Sequence, residues 1–238
     1  MSDNTYDKNS KKNVIQFALM LSVICSLMIT GAASGLKNLQ LENMKLDKKA
    51  NILKAANLIN QKPGRTEILK LYKAHIKEGM VNQSGQPVDT ETEDTLHLYY
   101  YHTNNVIEGY ILPINTKGLW GKISGYLAFE RDGQTVSGFS VFSHSETPGL
   151  GGEIENSWFR KNFKGKKILN SQNKFVSVGI AKGKVKNLPK NLQDHYVDGI
   201  SGATLTGNYL SEGIKATLTK YEPLSISFRQ KELKTLEQ

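Results

Sequence analysis

The sequence predicts a transmembrane helix followed by one α+β domain with a mainly antiparallel sheet and flanking helices. Three observations carry this. No charged residue lies between Lys12 and Lys37. A central stretch is rich in aromatic and β-branched residues and holds an Asp132-Gly133 pair, which favours a hairpin. The helical patterns flank that stretch and do not alternate with its strands, which argues against a doubly wound parallel sheet.

Taken in order, residues 1–12 form a polar tail. As a helix rising about 1.5 Å per residue, Asn13–Leu36 is long enough to cross a hydrocarbon core about 30 Å thick. Val14, Phe17, Leu21, Ile24 and Leu27 supply its apolar bulk, and it closes on Gly31-Ala32-Ala33-Ser34-Gly35, small residues suited to close helix packing in lipid. A cleaved signal peptide ending at Gly31-Ala32-Ala33 is the rival reading, but the apolar core is long for one. Lysines flank both sides of the run, so charge only leans towards a cytoplasmic N-terminus.

Residues 37–94 read as a helical linker region. Leu46, Ala50 and Leu53 recur at helical spacing in Leu41–Ile59, either as a separate helix or as a prolongation of the first. Pro63-Gly64 ends it, Thr66–Ile76 is a second short helix, and Gly79–Asp94 is a polar loop. Residues 95–238 form the remaining domain. Strands are predicted at Leu96–Tyr101, Val106–Leu112, Ile123–Phe129, Thr135–Phe142 and Phe175–Ala181, with a helix at Glu153–Phe163. A last helix runs from about Thr204 to about Tyr221, with Leu210, Ile214, Leu218 and Tyr221 on one face.

Composition excludes several functions. The chain of 238 residues has one cysteine, Cys25, inside the apolar run, so no disulfide, thiolate nucleophile or cysteine-ligated cluster is available to the domain. The five histidines lack ligand spacing, and no metal site is predicted. The net charge of +9 comes from scattered lysines and not from one dense run. A nucleic-acid partner is therefore not expected, while anionic headgroups or an acidic partner surface are compatible with it.

Two runs carry chemistry. Asp198-Gly199-Ile200-Ser201-Gly202-Ala203-Thr204 is made mostly of small residues and stands directly before a predicted helix. Backbone can approach a ligand closely there, and the free N–H groups of the helix start favour a phosphate. An ordinary cap by Ser201 or Thr204 is the alternative reading of the same residues. The second run is Glu146-Thr147-Pro148-Gly149-Leu150-Gly151. Gly149-x-Gly151 suggests a dinucleotide fingerprint, but Ile154 stands where its third glycine belongs. A tight loop after a strand, with backbone N–H groups facing a ligand, fits better.

The first run resembles the flavinylation motif of the FMN-binding domains of bacterial respiratory complexes, in which the threonine closing Ser/Thr-Gly-Ala-Thr is esterified to the FMN phosphate by a dedicated flavin transferase. The resemblance implies covalent FMN on Thr204, with Ser201, Gly202 and Ala203 around the phosphate and Thr206 not the attachment point. The second run resembles that family's flavin-contact loop, which implies that Glu146, Thr147 and Leu150 lie against the isoalloxazine. Lys117-Gly118-Leu119-Trp120-Gly121, Ala181-Lys182-Gly183 and the Leu46–Leu53 pattern are similar to the C subunits of Na+-translocating NADH:quinone reductases, along nearly the whole chain. By that resemblance Trp120 and Lys182 join the flavin pocket, and 95–238 is an FMN-binding domain.

The same resemblance implies an electron-carrier subunit of a Na+-translocating NADH:quinone oxidoreductase, with NADH oxidised in another subunit. It implies a single-pass protein of the bacterial inner membrane with a cytoplasmic N-terminus and a periplasmic FMN domain. Its partners are then the other subunits of a membrane redox complex and the flavin transferase. The alternative within the same resemblance is the G subunit of an Rnf-type ferredoxin:NAD+ complex. A membrane-tethered scaffold without a cofactor is the alternative from another class.

Overall fold

The computed structural model describes residues 11–61 and 63–230; the expected tail at 1–12 therefore lies, except for Lys11 and Lys12, outside the described residues. The chain divides into two units, Met1–Lys45 and Leu46–Gln238. Helix α1 (Lys11–Ala55) contains the uncharged run, and it is long and apolar enough to cross a membrane. Of the two readings of Leu41–Ile59, the structure shows the prolongation of the first helix, and no Pro interrupts the sequence between them.

The second unit is α+β, as expected. Helix α2 (Arg65–His75) leads directly into β1 (Ile76–Val81). There follow β2 (Leu96–Thr103), β3 (Val106–Lys117), β4 (Lys122–Glu130) and β5 (Val136–Ser143). They form one sheet in the order β1-β2-β3-β4-β5, every pair antiparallel. The sheet begins earlier than the sequence predicts. Gly79, Met80 and Val81 lie in the stretch expected to be a loop, but they pair with Leu98, His97 and Leu96. The reason is tertiary: β1 carries no apolar alternation of its own and is held by its neighbour's backbone.

Side chains alternate between the two faces of the sheet, and both faces are covered. Tyr110, Leu112, Ile114, Leu127 and Phe129 point into one core cluster. Ile111, Tyr126 and Ala128 join Ala50, Ile52, Leu53, Ile68 and Tyr72 in the other. This two-sided burial explains the near-continuous apolar runs of β3 and β4. The first cluster is closed by the long C-terminal helix α5 (Thr204–Arg229), whose Leu210, Ile214, Leu218, Tyr221, Leu224 and Phe228 are buried. The Tyr110 ring packs on Phe129 at 5.0 Å and on Phe228 at 4.5 Å. Its hydroxyl shares a 2.8 Å hydrogen bond with Ser225. Burying rings of this size stabilises the fold by roughly 1.5–3 kcal/mol each.

Three more expectations are corrected. The helix predicted over Glu153–Phe163 is a 3-10 turn (Gly151–Glu155) and a short helix α3 (Ser157–Lys161), separated at Asn156, whose ψ of 146° is extended. The strand predicted over Phe175–Ala181 is reduced to β6 (Gly179–Ile180). Ser177 has φ 69°, which breaks the extended path before it. After a one-turn helix α4 (Lys190–Gln193), β6 pairs in parallel with β7 (Tyr196–Val197). Helix α5 also outlasts its predicted end near Tyr221. Pro223 removes one N–H from its ladder, but Leu224, Ser225 and Phe228 are buried beyond it and hold the helix to the sheet.

Candidate functional site

Four connections converge at one end of the sheet. The first is the β3–β4 turn, in which the Gly118 N–H donates to the Gly121 carbonyl at 2.6 Å. The second is the loop after β5, in which the Gly152 N–H donates to the Thr147 carbonyl at 2.9 Å. The third and fourth continue from β6 and β7. They run side by side because the Ala181 N–H donates to Val197 and the Gly199 N–H to Gly183, at 2.9 and 2.8 Å. Gly199 must be glycine here, because a Cβ would collide with the Ala181 carbonyl.

Helix α5 draws these connections together. Its first half packs on β3 closely enough that a Cβ on Gly213 would collide with Thr116. Its Ser211 hydroxyl accepts from the Ile180 N–H at 2.8 Å, which ties it to β6. Its start therefore stands among all four connections. The residue preceding the helix is Ala203 (φ −125°, ψ 37°), and no side chain caps the helix. Neither Ser201 nor Thr204 acts as the cap that their residue types allow. The N–H groups of the first turn thus lack a side-chain acceptor, which is the condition for holding an anion. Ser201, Gly202 and Thr204 are exposed, while Ala203 is buried. Gly202 has φ 74°, and a Cβ there would touch the Leu150 side chain at 2.8 Å.

The two threonines of the motif have opposite surroundings. Thr204 is exposed. Thr206 is 1% exposed, and its hydroxyl donates to Glu146 Oε2 at 2.5 Å. Glu146 is itself 5% exposed, and its other oxygen, Oε1, accepts from the Trp120 N–H at 3.1 Å. The Glu146 N–H donates in turn to His144 Nδ1 at 3.1 Å. The carboxylate expected to face a ligand is therefore turned inward, with both oxygens engaged by protein. Thr147 and Leu150 are exposed on the same loop.

Apolar side chains stand in solvent around this end of the domain: Trp120 is 70% exposed, Leu205 53%, Leu150 43% and Leu119 41%. Lys182 is also exposed, and its backbone lies against Gly199. Asp198 does not face the helix start. Its Oδ1 accepts from the Val185 N–H at 2.7 Å, and its Oδ2 pairs with Lys184 Nζ at 3.0 Å. Partial burial would raise its carboxyl, but the Val185 N–H and the Lys184 ammonium outweigh that and hold it below the ordinary carboxylate value. Its role is to fix the two parallel connections to each other.

The residues singled out from the sequence come together at this end: Trp120, Glu146, Thr147, Leu150, Lys182, Ser201, Gly202, Ala203 and Thr204. Three features escape a sequence reading. The roles of Thr206 and His144 carry no local signal. The third, close packing at Gly118 and Gly151, is signalled only by the glycines themselves. A Cβ on Gly118 would meet Glu146 Oε1, and one on Gly151 would lie 2.6 Å from Thr206 Oγ1 and 2.7 Å from Glu146 Oε2.

The uncapped helix start, the exposed apolar side chains and the connection bearing Lys182 thus share one end of the domain. The family model described as the FMN-binding domain matches residues 118–219, a span that includes every connection of this site. The C subunit of the Na(+)-translocating NADH-quinone reductase of Yersinia pestis is 33% identical over 239 residues, covering 87% of this chain and 88% of the relative. Its Vibrio vulnificus counterpart is 32% identical, covering 84% and 88%. The chain belongs to the family of these C subunits, components of an enzyme complex. The crystal structure of the Parabacteroides distasonis member has the same fold, with a TM-score of 0.70, 30% identity and coverage of 80% of this chain and 96% of that one. The Shewanella oneidensis structure, at 19% identity and a TM-score of 0.64, agrees in fold.

Proposed function

We propose that this chain is an electron-carrier subunit of a membrane-bound Na+-translocating NADH:quinone oxidoreductase, and that it holds FMN through a phosphoester on Thr204. FMN, when bound, supplies one- and two-electron redox chemistry at its isoalloxazine. The residues of this chain supply attachment, orientation and charge. The Thr204 hydroxyl carries the phosphate, and the first N–H groups of α5 offset its charge, with Ser201, Gly202 and Ala203 leaving room. Trp120, Leu150 and Thr147 offer surface to the ring system. Lys182 offers a cation to a ring that gains negative charge on reduction.

The observation that carries the proposal is the contrast between the motif's two threonines. Thr204 is exposed at an uncapped helix start, while the Thr206 hydroxyl is buried and bonded to Glu146. A helix start favours an anion by only about 0.3–1 kcal/mol, so a covalent bond supplies a permanence that the loop alone lacks. The phosphoryl donor is then a flavin phosphoanhydride, brought by a flavin transferase. The Thr204 O–H bond breaks, Oγ–P forms, the other half of the anhydride leaves as a phosphate, and the proton passes to solvent.

In the same proposal, Asn13–Leu36 anchors the chain in a bacterial inner membrane in a single pass, with residues 1–12 cytoplasmic and the FMN domain periplasmic, beside the other subunits. Co-expression with the flavin transferase followed by a denaturing gel tests the attachment. Wild type and Thr206→Val give a fluorescent band that survives boiling in detergent, and Thr204→Val gives a dark one. A fluorescent Thr204→Val band places the bond elsewhere.

A further inference from the structure

Glu146 lies between the exposed loops of the site but does not face outward. Its two carboxylate oxygens reach two segments far apart in sequence, the Trp120 N–H of the β3–β4 turn and the Thr206 hydroxyl in the first turn of α5. Its own N–H is held by His144 Nδ1. Glycines surround the carboxylate where any other residue would displace it, Gly118 on the Oε1 side and Gly151 on the Oε2 side.

We propose that Glu146 is a positioning residue that selects the attachment threonine. The proposal rests on Thr204 being the flavin-bearing residue. By accepting from the Thr206 hydroxyl, the carboxylate keeps the second hydroxyl of the motif inside the domain and away from the phosphoryl donor. By accepting from the Trp120 backbone N–H through its other oxygen, it fixes the backbone at Trp120 relative to the first turn of α5. One buried group thus decides which hydroxyl is presented and where Trp120 stands beside it. The covalent step is unchanged from that given above, and Glu146 takes no part in it.

Removal of the carboxylate frees both partners. A hydrogen bond to a charged group, once lost, accelerates local opening roughly ten- to a hundredfold. The test uses the detergent-solubilised full chain made without the flavin transferase, and reads hydrogen exchange at the Trp120 amide. Wild type and Glu146→Gln, which keeps an oxygen for Trp120 and a polar group for Thr206, exchange slowly. Glu146→Ala exchanges roughly ten- to a hundredfold faster, and so does Gly118→Ala, which displaces the carboxylate from the opposite side and stands in should Glu146→Ala fail to fold.

The second measurement is peptide mapping after co-expression with the flavin transferase. Wild type and Glu146→Gln carry flavin on Thr204 alone, whereas Glu146→Ala and Gly118→Ala carry part of it on Thr206. Equal Trp120 exchange in wild type and both opened variants, or flavin confined to Thr204 at full yield in both, overturns the proposal. Flavin retained by Thr204→Val in the presence of Glu146 would instead overturn the assignment of Thr204, while the exchange result on Trp120 would still stand on its own.

Discussion

Gly151→Ala probes the packing on which the site depends. Gly151 has no positive φ, so the added methyl meets no backbone penalty and any cost is steric. Its Cβ would lie 2.6 Å from Thr206 Oγ1, 2.7 Å from Glu146 Oε2 and 3.0 Å from Glu146 Cβ, where ordinary contact begins at 3.4 Å. Thr206 and Glu146 are both buried and bonded to each other, so neither can swing into solvent. Overpacking of this kind costs about 1–3 kcal/mol. For a domain of this size each kcal/mol lowers Tm by about 2–4 °C, so a loss of roughly 2–12 °C is expected. Thermal unfolding of the full chain measures it. Gly183→Ala is the control, since a Cβ there meets nothing within 4 Å and its melting point should match the wild type. Thr206→Ala removes the nearest atom, so the double variant Gly151→Ala/Thr206→Ala should lose less than the sum of the two single losses. A Gly151→Ala protein that melts with the wild type, or strictly additive losses, would refute the close packing of Gly151 on the Glu146–Thr206 pair.

Asp198 is held below the ordinary carboxylate value, so its stabilising contribution is present above about pH 4 and fades as the pH falls through its folded value. Asp198→Asn should therefore lower stability at neutral pH, with the gap to wild type narrowing in acid; urea unfolding from neutral to acid pH measures it, and a gap independent of pH contradicts the role. Trp120→Ala and Lys182→Ala should keep FMN covalently attached but shift its absorption or its potential on the order of tens of millivolts, where about 30 mV corresponds to 1.4 kcal/mol for a two-electron couple. Spectra and potentials identical to wild type in both variants would remove these residues from the flavin's surroundings.

Much of this protein is legible locally. An uncharged run announces a helix able to cross a membrane because charge is costly in hydrocarbon. Enrichment in aromatic and β-branched residues announces β2–β5, and a period of 3.6 announces α5, whose one apolar face must meet a core. The site's small residues and its position before a helix are equally local, since the motif Asp198–Thr204 is contiguous. Elements without their own pattern escape such a reading: β1 depends on pairing with β2, and β6 is cut short by the positive φ of Ser177. The helix over Glu153–Phe163 is split at Asn156, where the chain turns to bury Ile154 and Phe159 in one core.

The sequence by itself determined that a phosphate-compatible helix start with two nearby threonines exists, because that depends on neighbouring residues. It could not determine which threonine faces outward. Thr206 lies on the buried face of α5 with Leu210, one helical turn on, and its hydroxyl meets Glu146, 60 residues away in sequence, only when α5 folds back across the sheet. Local residues set what each segment can do, while burial and hydrogen bonding between distant segments decide which hydroxyl remains exposed.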